Sequence, residues 1–182
     1  EIVEDGGSVS TQVFDIRDED AVKETVKRIL AERGRIDGLV NNAGGQFPAP
    51  LSAISKRGFE AVVANNLTGG FLMARECYLQ SMQAHGGAIV NIVADIWGSM
   101  PGMAHSGAAR AGMVSFTETA ALEWATLEKQ AGVPRARMED FARLLRDAAL
   151  RLLRRLPVPP PDTMSPPTSA CARRSCAIAA LT

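Results

Sequence analysis

Cysteine, tyrosine and histidine are scarce in these 182 residues: three, one and two respectively. Cys77, Cys171 and Cys176 are odd in number and lack a paired ligand spacing, so neither a disulfide framework nor a metal site is expected. Surplus charge of either sign is also lacking. Lys+Arg and Asp+Glu both number 20, which gives no reason to expect nucleic acid or an acidic polymer as partner. No uninterrupted apolar run approaches the roughly 18 residues of a membrane span. The chain opens on the acidic stretch Glu1 to Asp5 instead of a basic, then apolar, leader. A soluble protein of a reducing compartment, the cytoplasm by default, is expected. One absence bears on ligands: no glycine-rich strand-to-helix turn of the form TGxxxGxG occurs, so the sequence offers no phosphate grip at a helix N-terminus.

What is present suits a packed α/β domain, with 46% hydrophobic residues and few aromatics. Ser8 to Ile16 alternates as a strand. From Asp20 to Arg33, Ala21, Val22, Val26, Ile29 and Leu30 recur at helical spacing beneath a charged face, and Gly34 follows as a stop. Ile36 to Val40 is a short apolar strand running into the turn-forming Asn41-Asn42-Ala43-Gly44-Gly45. A helix from about Ser55 to His85, broken near Asn65 to Gly70, leads to an apolar strand from Ala88 to Ala94, and a further helix runs from Ala104 to Ala125. Strands alternating with helices, apolar on both faces, predict a partial doubly wound parallel sheet covered by helices. Ligands bind such sheets beyond the carboxyl ends of the strands.

The balanced total charge hides a split. Residues 1–127 carry ten Lys/Arg against fifteen Asp/Glu, net −5, whereas residues 128–182 carry ten against five, net +5. Three segments are expected: a domain over 1–127, a basic helical segment over 128–157, and a Pro/Ser/Ala/Arg-rich tail over 158–182. Within the second, Glu139 to Leu156 places Phe141, Leu144, Leu145, Ala148, Leu152 and Leu156 on one stripe amid five arginines. The tail is too poor in apolar residues to order itself and is expected to be disordered. The abrupt change after Trp124 fits either a genuine replacement or an altered reading frame.

Four ordered motifs carry a resemblance. They are DGLVNNAGG from Asp37, VVANNLTGGF from Val62, GGAIVNIVADIWG from Gly86 and HSGAARAGMVSFTETAALEWA from His105. Taken alone, the first is a turn whose small residues let a flat ring approach the main chain, or simply a tight turn after a buried strand. Together the four resemble the short-chain dehydrogenase/reductase family of Rossmann-fold enzymes over residues 1 to about 125. The resemblance implies a cofactor, NADP with NAD left open. It places Asn42, Ala43 and Gly44 along the ribose and adenosine side, and Asp15 and Ile16 against the adenine ring. The residue-level alternative for Asp15 is helix capping together with Asp18 and Asp20. Asn66 matches an asparagine that holds an ordered water in the family's proton relay, though it also suits a kinked helix.

The family's usual acid/base set is absent. Its serine place is held by Val93, its tyrosine place by Ser106 and its lysine place by Arg110, while the single tyrosine, Tyr78, sits in an earlier helix. Arginine does not exchange protons near neutral pH, and a serine hydroxyl is a far weaker acid than an activated phenol. The string HSGAARAG, with NNAGGQF before a proline, resembles the branch containing peroxisomal trans-2-enoyl-CoA reductases. By that resemblance the substrate is a conjugated acyl-CoA thioester that receives hydride from NAD(P)H. Arg110 then anchors the cofactor ribose or stabilises negative charge, Ser106 donates to the thioester oxygen, and Asp95 or His105 passes a proton. The residue-level alternatives are a loop carboxylate for Asp95 and a surface residue at a helix start for His105. A homo-oligomer is expected of a complete family member. The chain ends Ala180-Leu181-Thr182, which is not the usual peroxisomal address. The rival reading is a catalytically dead form acting only through subunit association.

Overall fold

The computed structural model describes residues 6–130 and 177–179, with backbone alone for 125–130 and 177–179. Helix α1 (Glu19–Arg33) forms because local chemistry marks both of its ends. The Asp18 side chain accepts from the Ala21 N–H at 3.0 Å, and the acidic first turn, Glu19 and Asp20, suits the positive end of the helix dipole. At the other end Gly34 adopts φ 81°, where its N–H reaches Leu30 O at 2.8 Å. The apolar stripe is then buried through Val22, Val26 and Ile29.

Strands β2 (Gly38–Asn41) and β3 (Ala88–Asn91) pair in parallel, with Leu39 opposite Ile89 and Asn41 opposite Asn91. The expected parallel sheet is therefore present as this pair. Strand β1 (Thr11–Val13) is shorter than the expected span and is not hydrogen-bonded to β2. It pairs antiparallel with β4 (Ala177–Ala179), Gln12 lying opposite Ile178. Consecutive strands joined by a crossover helix need not be neighbours in a doubly wound sheet. These three residues of the C-terminal segment thus take part in a ladder where no order was expected. The basic helix over 139–156, the boundary at 157/158 and the rest of the tail lie outside the described residues.

Between β2 and β3 the chain is helical from Lys56 to His85, and the expected break is not a break. Helix α2 (Lys56–Val63) passes through a π turn (Ala64–Thr68) into α3 (Gly69–Cys77). A second π turn (Tyr78–Met82) leads to α4 (Gln83–His85). The junction residues Ala64, Thr68 and Gly69 all keep right-handed helical angles. A π turn inserts a residue without interrupting the helix and rotates the side chains beyond it, which is why periodicity alone reads it as a discontinuity. Helix α5 (Ala104–Gln130) runs past the expected boundary at residue 127.

The core lies where α1 and α3 meet β2: Val22, Val26, Leu39, Leu72, Met73 and Met82 are all buried there. A polar seam closes the α1–α3 contact. Arg75 reaches Glu19 Oε1 at 2.6 Å and Glu76 Oε1 at 2.9 Å, and Gln80 donates to Glu76 Oε2 at 2.9 Å. Helix α3 packs on β2 and α5 on β3, leaving the carboxyl ends of both strands beside the start of α5.

Candidate functional site

Asn41 and Asn91, paired across the carboxyl ends of β2 and β3, tie strands and helices into one network. Asn41 Nδ2 donates to Gly70 O at 3.0 Å and to Asn91 Oδ1 at 2.8 Å. Asn91 Nδ2 donates to Thr117 Oγ1 at 2.8 Å, and that hydroxyl donates to Met113 O at 2.7 Å. Asn41 entered from sequence as a turn-forming residue at a strand end, whereas Asn91 and Thr117 were not singled out. A turn-forming asparagine and a strand-end asparagine carry no signal that they will meet 50 residues apart.

Beyond Asn41 the chain threads between the first π turn and the first turns of α5, tied at four points. Gly45 N–H donates to Asn66 Oδ1 at 2.8 Å. Ser106 Oγ donates to Gln46 Oε1 at 2.9 Å. The Phe47 and His105 rings meet edge to face, centroids 4.5 Å apart and planes at 80°. Ala49 N–H reaches Gly102 O at 2.8 Å. At Gly44 a Cβ would stand 2.8 Å from Asn66 Oδ1 and 3.3 Å from Arg110 Nη2, so a side chain at this close approach of loop, π turn and helix would have to displace the Asn66 amide.

Gly44, Asn66 and Arg110 therefore converge. Arg110 Nη1 donates to Ile92 O at 2.9 Å, which holds the guanidinium at the end of β3. Asn66 Nδ2 and Arg110 Nε are buried without a partner among the described residues, as are both ring nitrogens of His105. Buried donors are ordinarily satisfied. Two unsatisfied donor-only groups flanking a surface with no room for a side chain form a cradle for an acceptor-rich, flat ligand, and a nucleotide has that chemistry. Among the described residues no cluster of His, Cys, Asp or Glu is able to hold a metal ion.

The other anticipated residues land as follows. Asn42 is exposed and Ala43 is packed against the core. Ile16 is buried, its Cδ1 where a Cβ on Gly69 would be, 2.6 Å away. Asp15 is exposed at the end of β1, and its carboxylate is gripped by the Arg17 side chain at 2.6 to 3.0 Å. Those hydrogen bonds outweigh the opposing effect of burial and hold its pKa below the usual carboxylate value. The capping alternative for Asp15 does not hold, since Asp18 supplies the cap. Asp95 is exposed, accepts from Trp97 N–H at 3.2 Å, and has no described contact with Ser106 or Arg110. His105 is not the surface residue of the alternative reading: like Ser106 it is 0% exposed. Tyr78 is buried, stacked on Trp124 at 4.3 Å.

Comparison with known proteins bears on what this arrangement is. The family model described as short chain dehydrogenase matches residues 1–129. The chain is 41% identical over 114 residues to a peroxisomal 2,4-dienoyl-CoA reductase [(3E)-enoyl-CoA-producing] of Rattus norvegicus, covering 61% of this chain and 38% of that protein. It is 36% identical over 121 residues to the 3-oxoacyl-[acyl-carrier-protein] reductase FabG of Thermotoga maritima, covering 65% and 49%. Among solved structures, a citronellol catabolism dehydrogenase (AtuB) of Pseudomonas aeruginosa PAO1 superposes with a TM-score of 0.66. The two are 63% identical, with 69% of this chain and 52% of that one covered. The chain spans about half the length of these relatives or less.

Proposed function

Because the chain belongs to the short-chain dehydrogenase family of oxidoreductases, we propose that its site serves reduction of a conjugated acyl-CoA thioester at the expense of NAD(P)H. The observation carrying this reading is the cradle of Gly44, Asn66 and Arg110, joined to a start of α5 with no phenol or ammonium in the proton-transfer places. Both dienoyl-CoA and 3-oxoacyl reductases are among the relatives. Reduction of a 3-oxo group must protonate an alkoxide, and neither the Ser106 hydroxyl nor the Arg110 guanidinium is an acid suited to that near neutral pH. A conjugated thioester needs only hydrogen bonds to its developing enolate oxygen and a proton from water at the α-carbon.

The nicotinamide group, when bound, supplies hydride to the β-carbon. The residues present fit such a cofactor: Gly44 gives close approach, and Arg110 Nε offers a donor to a ribose oxygen. Asn42, Ala43, Asp15 and the Ile16 backbone extend that side, with NADP preferred to NAD on the family resemblance. Asn66, with its oxygen held by Gly45, is placed to hold a water on its free amide nitrogen. Ser106, buried with its proton on Gln46 Oε1, acts on the thioester oxygen through that bond, and Asp95, exposed beyond β3, is the residue that passes the proton. A shallow apolar depression of about 380 Å³, lined by Leu51, Ile96, Met100, Pro101, Ala104 and Gly107, suits a hydrocarbon chain. The likeness to a citronellol catabolism dehydrogenase favours a branched one. Leu79 and Leu122, 54% and 76% exposed on the long helices, suit association into a homo-oligomer. No helix among the described residues is long and apolar enough to cross a membrane.

The test is a titration of the 182-residue chain with NADPH and NADH by nicotinamide fluorescence, followed by crotonyl-CoA turnover. Saturable binding and loss of the enoyl thioester are expected. Absence of binding at millimolar nucleotide would sink the enzymatic reading and leave subunit association.

A further inference from the structure

The depression beside the start of α5 is built from one face of that helix and the loop that leads into it. Ala104, Gly107, Ala108 and Ala111 form its floor, spaced three and four apart so that they share a face over about 10 Å of helix. None carries an atom beyond Cβ, and Gly107 and Ala111 directly follow Ser106 and Arg110 in the chain. Met100 stands across this floor. A Cβ on Gly107 would lie 3.5 Å from Met100 Cβ, 3.6 Å from its Cγ and 3.6 Å from its Sδ, so the thioether rests on the helix between Ala104 and Ala111. The backbone that carries it is fixed independently of that side chain. Met103 N–H donates to Met100 O at 3.0 Å, Ser99 N–H to Ile96 O at 3.2 Å, and Gly102 O accepts from Ala49 N–H at 2.8 Å. Ser99 at φ 68° and Gly102 at φ 76° both hold the left-handed region, which the serine adopts at a cost. The wall is therefore a flexible side chain on a fixed loop, and methionine adapts to irregular apolar shapes.

We propose that Met100 sets the length of hydrocarbon chain this site accepts, by closing the floor at Gly107 against the acyl tail of the thioester. The assignment rests on the acyl-thioester site proposed above. The stretch over Ala108 and Ala111 adjoins Arg110 and takes the first carbons beyond the thioester. Carbons farther out have to displace the Met100 side chain to reach Ala104. Each methylene laid on open apolar surface tightens binding about fourfold, whereas one that displaces a packed thioether gives up a contact for every contact it gains. A branch methyl is accommodated by rotation about the side-chain bonds of methionine, with no movement of the loop backbone.

The experiment titrates the full chain, Met100→Ala and Gly107→Leu with saturated acyl-CoAs from butanoyl to dodecanoyl, which bind without being reduced. Calorimetry reads Kd, with NADPH affinity and thermal midpoints as controls for the cofactor side and the fold. In the unsubstituted chain Kd tightens about fourfold per methylene and then levels. In Met100→Ala, whose main-chain ties are untouched, the levelling moves to longer chains while butanoyl-CoA binds as before. In Gly107→Leu it moves to shorter ones, and should that variant unfold, Met100→Ala decides alone. Gly107→Ala, whose methyl meets Met100 at ordinary contact distance, keeps the unsubstituted profile. A Met100→Ala profile that levels at the same length overturns the proposal, and the enoyl-thioester reading stands if crotonyl-CoA is still consumed with NADPH. A shifted profile without crotonyl-CoA turnover keeps the role of Met100 and overturns that reading. A Kd independent of chain length in every protein overturns the depression as the place of the tail. Failure of every acyl-CoA to bind overturns both.

Discussion

Glu76 and Asn66 are equally withdrawn from solvent, each 6% exposed, yet their surroundings treat them in opposite ways. In the α1–α3 seam both oxygens of Glu76 are engaged, one by Arg75 and the other by Gln80, and Arg75 is itself shared with Glu19. In the cradle, Asn66 spends its oxygen on Gly45 and leaves its nitrogen bare, while Arg110 leaves Nε bare. Burial therefore does not separate scaffold from site in this molecule. On the function proposed above, completion of the hydrogen bonds does, because an unpaired buried donor is costly to keep and persists where a ligand completes it.

Breaking the complete cluster is expected to have the largest effect. Arg75→Met leaves the Glu76 carboxylate buried with Gln80 as its one remaining hydrogen-bond donor, a loss of about 3 kcal/mol in chemical denaturation. Nucleotide affinity should be unchanged relative to that lower stability. A loss under about 0.5 kcal/mol would show that the seam contributes nothing as scaffold and would dissolve the contrast. The incomplete cluster should respond the other way. Gly44→Ala sets a methyl 2.8 Å from Asn66 Oδ1 in an exposed loop, so stability should move by less than about 1 kcal/mol. Nucleotide affinity should fall about tenfold, equivalent to roughly 1.4 kcal/mol. An unchanged affinity, read by fluorescence titration, would remove Gly44 from the binding surface.

The unequal legibility of these two regions has a physical cause. Helix α1 is readable because its stripe, acidic first turn and Gly34 stop all lie within 16 consecutive residues, Glu19 to Gly34. The apolar runs of β2 and β3 are likewise local signals, although only four residues of each form ladder. The first π turn was read as a break because an inserted residue shifts the helical phase without leaving helical geometry, and the second was not anticipated. Gly44 and Asn66 entered through motifs. Gln46 and His105 stood in the motifs of the resemblance, but their neighbours were not legible: Gln46 meets Ser106 across 60 residues, and His105 is buried edge to face with Phe47. Only the tertiary fold creates those neighbours, and it likewise stacks the single tyrosine, Tyr78, on Trp124 in the core.

The finest test of the contrast is pH, because it titrates the completed cluster without altering a residue. Burial raises the pKa of Glu76, but hydrogen bonds from Gln80 and Arg75, with the charge of Arg75, outweigh it and hold the carboxyl below its ordinary value. A carboxyl whose folded value is lowered binds protons more readily in the unfolded chain. Its contribution is therefore fully present above the ordinary carboxylate range and is lost as pH falls through that range to the lowered folded value. Denaturation midpoints of the unsubstituted chain should accordingly drop across that window by more than those of Glu76→Gln, which has no proton to take up. In Arg75→Met the acid loss should shrink, because the hydrogen bond and charge of the guanidinium no longer lower the carboxyl, while Gln80 and the charge of Lys23 remain. Parallel acid profiles for all three proteins would mean that Arg75 and Gln80 do not hold Glu76 charged. The seam would then be as incomplete as the cradle, and satisfaction of buried donors and acceptors would no longer mark the difference between them.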